Sequence, residues 1–197
     1  MLEVELKAVI DDLDARRKQV ERAGGKAEFV GKLTDARYDS ARAELMSRDH
    51  VLRLRVYERD GKKEGHLDWK GETRYEDGYK VRDEISTSVG DPEVFAVILA
   101  NLGMRVVREI EREIAQYSLA GATVRFERYP RMDDLVEVEG SPEAIENAIG
   151  LIGIPRDAFT TGRLADFVLA FQQRTGLRAA VSSREMRGEY LFSDVSL

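Results

Sequence analysis

Apolar and charged positions alternate with a period of two over residues 2–10, where Leu2, Val4 and Leu6 interleave with Glu3, Glu5 and Lys7. That spacing predicts a strand with one face buried. Residues 12–23 predict a helix stopped by Gly24-Gly25. An extended segment follows from Ala27 to Asp39, then a charged loop to about Asp49. Alternation returns from Val51 to Arg59, with Leu52, Leu54 and Val56 set against Arg53, Arg55 and Tyr57. Asp60-Gly61 predicts a hairpin turn, and strands are predicted near 65–72 and 79–88 around the Glu76-Asp77-Gly78 turn.

Two later segments echo each other. Gly90-Asp91-Pro92-Glu93 opens an apolar-periodic stretch ending at Gly103, and Gly140-Ser141-Pro142-Glu143 opens another ending near Gly153. Each supplies an N-cap residue, a proline at the first helical position and an acid in the first turn. Each also follows a strand with paired charges, and residues 1–25 form a looser third copy of this strand-plus-helix unit. Long strands are predicted at about 105–119 and 122–130, joined at Ala120-Gly121, with a last strand at about 134–139 and a closing helix over 160–175. The stretch after Gly176 lacks periodicity and reads as a loosely held tail. The sum is an α+β fold of about eight mostly short-linked antiparallel strands, a number that tends to curl into a β-barrel with flanking helices.

Composition narrows the chemistry. The chain has 197 residues, 31 Lys+Arg, 37 Asp+Glu, 2 His and no Cys. Disulfides and thiolate metal sites are therefore excluded, and His50 and His66 are too few for a histidine-built zinc centre. A net charge of −6 argues against a general nucleic-acid binder. No apolar run approaches a membrane span, and MLEVELKAVI carries charges where a signal peptide needs its apolar stretch, so the expected location is the cytoplasm. The expected organisation is one domain over 1–176 and a tail over 177–197, which is a candidate arm for a homodimer.

The charges share faces. Residues two apart on a strand are neighbours on one side of a sheet. Glu3/Glu5/Lys7, Arg53/Arg55, Asp68/Lys70, Arg82/Glu84, Arg125/Glu127 and Glu137/Glu139 have that spacing, and Arg108/Arg112 keep the same parity. Any single pair is most simply a solvated face. Together they are rich in Arg and Glu, and a sheet closed with its apolar faces against helices would line a tunnel with them. Arg and Lys match phosphate oxygens, and clustered carboxylates suit Mg²⁺ or Mn²⁺.

Glu3-Val4-Glu5-Leu6-Lys7 resembles the ExExK signature that opens CYTH domains, the triphosphate tunnel metalloenzymes. Its neighbours follow in family order: Asp35…Tyr38-Asp39, Leu52-Arg53-Leu54-Arg55, Asp68-Trp69-Lys70-Gly71, Arg82-Asp83-Glu84 and Val136-Glu137-Val138-Glu139. The resemblance covers about residues 1–170 and implies an eight-stranded antiparallel tunnel that binds a small-molecule triphosphate with a divalent metal. It implies an enzyme: an inorganic, thiamine or nucleoside triphosphatase, or a class IV adenylyl cyclase that makes cyclic AMP and pyrophosphate from ATP. By the same resemblance Glu3, Glu5, Glu127, Glu137 and Glu139 are metal-site acids, and Lys7, Arg53, Arg55, Lys70, Arg82 and Arg112 are phosphate-binding cations, to which parity alone adds Arg108. Glu5, Lys7, Arg55 and Glu137 carry the expected catalytic roles, and Glu84 is expected to orient its basic neighbours.

The chain departs from the family pattern in four places. Glu127 stands where Asp is usual, Asp134-Leu135 replaces Gly-Phe, Ile110 falls between Arg108 and Arg112, and Leu164-Ala165 replaces a Ser-Tyr pair in the last helix. These departures motivate a rival reading, a non-catalytic module that binds polyphosphate or nucleotide. Among other residues, Trp69 should face away from the tunnel under a helix, Tyr38 lies near its mouth, and Lys62-Lys63 reads as a solvated turn. No glycine forms a phosphate-cradling loop of the GxxxxGK[ST] type.

Overall fold

The computed structural model describes residues 2–194. Among them, nine strands make one sheet: β1 (Leu2–Val9), β2 (Lys26–Asp39), β3 (Val51–Arg59), β4 (Lys62–Lys70), β5 (Arg74–Glu76), β6 (Tyr79–Val89), β7 (Arg105–Leu119), β8 (Ala122–Arg128) and β9 (Leu135–Glu139). The helices are α1 (Leu13–Arg22), α2 (Pro92–Asn101), α3 (Pro142–Ile152), α4 (Leu164–Thr175) and the one-turn α5 (Ser183–Met186). Asp60-Gly61, Asp77-Gly78 and Ala120-Gly121 each hold two consecutive residues at positive φ. That is the backbone twist by which a two-residue turn joins antiparallel strands. The helix starts follow their sequence signals. Asp91 accepts from the N–H groups of Glu93 and Val94, and Ser141 from that of Ala144, each just before a proline.

The strand order is β1-β9-β8-β7-β2-β3-β4-β6, and β1 also pairs with β6, Glu3 opposite Arg82 and Glu5 opposite Lys80. The first and last members of the row thus meet, and the eight strands close into an antiparallel barrel. β5 stands outside the ring, paired with the start of β6. Closure joins the first and last strands of the row and so removes both of its end edges.

Alternation decides which side chains go where. Leu6 and Ala8 of β1, Tyr117 of β7, Val124 and Phe126 of β8 and Val136 and Val138 of β9 point outward. They are sealed under Val20 of α1 and Ile145, Ala148, Ile149 and Ile152 of α3. A second outer patch, Tyr38, Leu54 and neighbouring apolar groups, lies under Leu99, Phe95 and Ala96 of α2. The core is therefore outside the barrel, and the charged positions are left for its interior. No helix among the described residues is long and apolar enough to cross a membrane.

The end of the chain differs from expectation. Residues 177–194 are not loosely held, although the last three positions of the tail lie outside the described residues. Ala180 exchanges backbone hydrogen bonds with Arg131, and the Val181 carbonyl accepts from Glu111 N–H at 2.7 Å. Ala179 and Val181 join Phe167, Val168 and Phe171 of α4 in an apolar cluster over Ile110, Tyr129 and Leu135. The physical reason is local. β8 pairs with β7 only from Glu113 onward, so the first half of β7 has a vacant edge on that side, and the tail fills it.

Candidate active site

The inner faces of the strands enclose a cavity of about 230 Å³. Glu3, Glu5 and Lys7 enter it from β1, Asp35 and Arg37 from β2, and Arg53 and Arg55 from β3. Lys70 comes from β4, Lys80, Arg82 and Glu84 from β6, and Arg112 from β7; Arg125 and Glu127 come from β8, and Glu137 and Glu139 from β9. These groups are tied in a cross-barrel network. Lys7 Nζ lies 2.9 Å from Glu5 and 2.7 Å from Glu137, and Arg125 donates to Glu137 at 2.7 Å. Arg112 bridges Glu127 at 2.8 Å and Asp35 at 3.0 Å. Arg53 and Arg55 share Asp35 and Asp68, with Arg53 2.8 Å from Asp68. Lys70 donates to Glu3, and Lys80 to Glu5.

Burial penalises every one of these charges, and the neighbours decide the outcome. Burial raises the Glu5 carboxyl, but Lys7, Lys80 and Lys70 outweigh it and hold Glu5 at about 2. Asp35 is buried among Arg112, Arg53 and Arg55 and lies far below the carboxylate range. Glu137 is likewise held down against burial by Lys7 and Arg125. Lys7 is pushed up against its burial by Glu137 and Glu5. Four groups go the other way, Lys80 and Arg82 among them, both lowered chiefly by burial. Burial lifts Glu139 to about 7, with further repulsion from Glu137 and Glu3. Burial also lowers Arg37, and Arg53, Arg82 and Arg112 add to the effect.

Most residues expected at the site converge here, with one exception. Arg108 leaves β7 on the same face as Arg112, but it is 1% exposed, outside the cavity lining, and paired with Glu185 of α5 at 3.0 Å. The tail that fills the β7 edge also removes this cation from the cage. Glu127 does line the cavity, though its oxygens are bonded by Arg112 and by the Tyr129 hydroxyl at 2.7 Å. Glu84 sits 3.3 Å from Lys70 and 3.6 Å from Arg53. Leu164 and Ala165 pack with the α4 cluster, and Leu164 reaches the cavity wall. Trp69 lies outside the cavity lining, as parity requires, and packs edge-on against His50. Lys62 and Lys63 begin β4, and Lys63 pairs with Glu93.

Other cavity residues went unassigned in the sequence. Arg37 and Lys80 are each two positions from an assigned or motif residue, Asp35 and Arg82, so parity alone could have found them. Arg125 was visible as a partner of Glu127. Arg163, at the N-cap of α4, had no periodic signal; only the fold brings it to the mouth.

The donor chemistry suits a divalent metal. Glu3 Oε2 is buried and lacks a hydrogen-bond partner, and Glu139 is crowded by the negative charges of Glu137 and Glu3. A hard cation would supply the missing partner and relieve the repulsion. As the side chains stand, no group of three acids among the described residues is gathered tightly enough to hold a metal, because lysines and arginines occupy their oxygens. Binding one requires those carboxylates to turn from their cationic partners.

Residues 1–147 match the CYTH domain family. No curated protein matches the chain at a meaningful level. Among solved structures, a putative adenylate cyclase from Vibrio parahaemolyticus is similar over 86% of this chain and 98% of its own, at 15% identity and a TM-score of 0.72. A protein of Pyrococcus horikoshii OT3 is similar over 85% and 98%, at 22% identity and a TM-score of 0.69. A putative adenylyl cyclase from Hippeastrum, described as having a dominant triphosphatase activity, is similar over 96% and 97%, at 15% identity and a TM-score of 0.57. At such identities the likeness is one of fold.

Proposed function

The chain belongs to the CYTH family, and from that premise together with the charged interior of its barrel we propose that it is a divalent-metal-dependent enzyme that hydrolyses a triphosphate. One observation carries the reading: β1, β2, β3, β4, β6, β7 and β8 each aim a lysine or arginine into a single cavity. Such a cage has little use for a neutral ligand. A linear polyanion, by contrast, meets a cation at every turn of its length.

Phosphoryl transfer asks mainly for positioning and for neutralisation of charge on the transferred group. Arg53, Arg55, Lys70, Arg82 and Arg112 would grip the phosphate oxygens, and Lys7 would sit between the phosphates and the acids Glu5 and Glu137. Asp35 and Asp68 hold Arg53 and Arg55 in place from behind, so the guanidiniums are oriented before substrate arrives. Glu3, Glu5, Glu137 and Glu139, with Glu127 nearby, are the residues that would hold Mg²⁺ or Mn²⁺, which supplies charge neutralisation and a more acidic water. The closed barrel limits solvent around the reacting phosphorus, which strengthens each of these interactions.

The test is one panel of substrates: tripolyphosphate, thiamine triphosphate and ATP with Mg²⁺ or Mn²⁺ at pH 7 to 10, with phosphate and cyclic AMP both measured. Phosphate release is the expected result, and Arg55→Ala or Glu5→Gln should lower kcat/KM by roughly 100-fold or more with the fold intact by circular dichroism. Cyclic AMP from ATP would assign the cyclase reaction instead. Metal-dependent binding with no product would assign the binding module.

A further inference from the structure

The cavity wall changes character at the end of the barrel where the β2–β3 loop, the β4–β5 loop and the start of α4 meet. Deeper in, the cations face carboxylates, as Arg112 does Glu127 and Arg125 does Glu137. At the mouth, Arg82 directs its N–H groups to the carbonyl oxygens of Gly71 and Asp49. Its hydrogen bonds go to neutral carbonyls, and the nearby Asp49 and Glu3 carboxylates only partly offset the burial of its charge, which an anion would offset further. Arg163 reaches in from the N-cap of α4, where it is 3.1 Å from Asp49 Oδ2 and 3.2 Å from Thr73 Oγ1. Arg37 lines the same cavity from β2, opposite Arg53 in register. Arg82 repels Arg37 and Arg163 repels Arg82, in each case adding to the cost of burial. Asp49 stands among these guanidiniums and also accepts from Thr73 N–H at 2.7 Å.

Arg163 and Asp49 are partly exposed, their side chains 45% and 36% accessible, so the pair between them is a weak contact that a better partner can displace. A phosphate end offers that partner. It carries more charge than a carboxylate and accepts two parallel guanidinium bonds. We propose that Arg37, Arg82 and Arg163 form a phosphate subsite at the mouth of the barrel, and that Arg163 leaves Asp49 to bind the outermost phosphate. This rests on the triphosphate reading above and deepens it. The substrate presents an unesterified phosphate end to the mouth, and the organic group, if there is one, lies at the end of the triphosphate away from Arg163. It also gives a binding role to a residue beyond the stretch that matches the family.

The probe is the non-hydrolysable imidotriphosphate with Mg²⁺, its Kd measured by calorimetry for folded variants. Arg163→Ala and Arg37→Gln should each raise Kd by roughly 10-fold, the loss expected for a charge-assisted hydrogen bond. Asp49→Asn keeps an acceptor for Thr73 N–H but releases Arg163, so it should lower Kd by about 3-fold, and that gain should vanish in the Asp49→Asn/Arg163→Ala double variant. Because Arg163 is exposed, its substitution leaves the core untouched. A Kd for Arg163→Ala within twofold of the unaltered protein overturns the proposal, as does weakening by Asp49→Asn to the same extent as by Arg163→Ala. If Arg55→Ala abolishes binding while Arg163→Ala does not, the triphosphate reading stands and the mouth subsite falls. If the unaltered protein does not bind the probe, both fall.

Discussion

Glu139 illustrates how single side chains set the behaviour of the cage. Its carboxyl is raised to about 7, first by burial and then by Glu137 and Glu3. The folded protein therefore holds that proton more tightly than the unfolded chain does. The resulting stabilisation is complete below the ordinary carboxylate pKa and is lost as pH rises toward 7. With a chelator present, Glu139→Gln should accordingly raise stability at pH 8 by about 2 kcal/mol, and the gain should disappear near pH 4.5. Urea unfolding at the two pH values decides it; a destabilised variant at pH 8 would contradict the repulsion. Residue identity on the strands was legible in the sequence, because a period of two assigns each charge to a face. Partners were not. Parity placed Arg108 beside Arg112, but nothing in the sequence around Glu185 shows that its carboxylate comes to rest 3.0 Å from that guanidinium.

Among the elements, the tail changes the picture most. Glu185 accepts from Val181 N–H at 2.8 Å and pairs with Arg108, while Ser182 caps the short helix that carries it. Removing one member of a buried pair leaves the other charged and unpartnered, which typically costs ~3–5 kcal/mol. Glu185→Ala should therefore destabilise the protein by about that amount, and the double change Arg108→Met/Glu185→Leu should recover most of it, as read from urea midpoints. Equal stability of the single and double variants would show that the pair contributes nothing. The regular elements were legible: the Asp91-Pro92 and Ser141-Pro142 starts and the Gly-containing hairpin turns all act as their chemistry dictates. β5 was missed because Arg74-Tyr75-Glu76 is too short to establish a period and pairs with β6 alone. Ala179–Val181 was missed because its pairing depends on a gap in the β7–β8 ladder, a tertiary circumstance with no local signature.

The molecule as a whole places its apolar core outside the barrel and its charges within, an arrangement that must respond to acid. Glu5 is held at about 2, and Asp35 and Glu137 are also depressed. Depressed carboxylates contribute stability above their unfolded pKa and lose it as pH falls through the folded one. Acid unfolding should thus be steep between about pH 4.5 and 2, and imidotriphosphate with Mg²⁺ should raise the melting temperature at pH 8, where roughly 100 times Kd of ligand adds about 2.7 kcal/mol. An unmoved melting temperature at saturating ligand would argue against a polyanion in the cage. The closed barrel was readable from the number of alternating segments, whereas its seam was not, since the acid–base match of Glu3 with Arg82 and Glu5 with Lys80 is one of many that the charged strands offer. That seam has a consequence for synthesis. β1 is made first, yet its two neighbours are β6 and β9, and β9 ends at Glu139. β6 is complete by Val89, less than halfway along the chain, but until roughly seven-tenths of it has left the ribosome the first strand lacks its other neighbour, β9. Contacts so distant in sequence are slow to form. The docking of β9 on β1 then closes a ring around a mixed set of acids and bases, and a metal or polyphosphate already in the cell can meet those charges before the ring is shut.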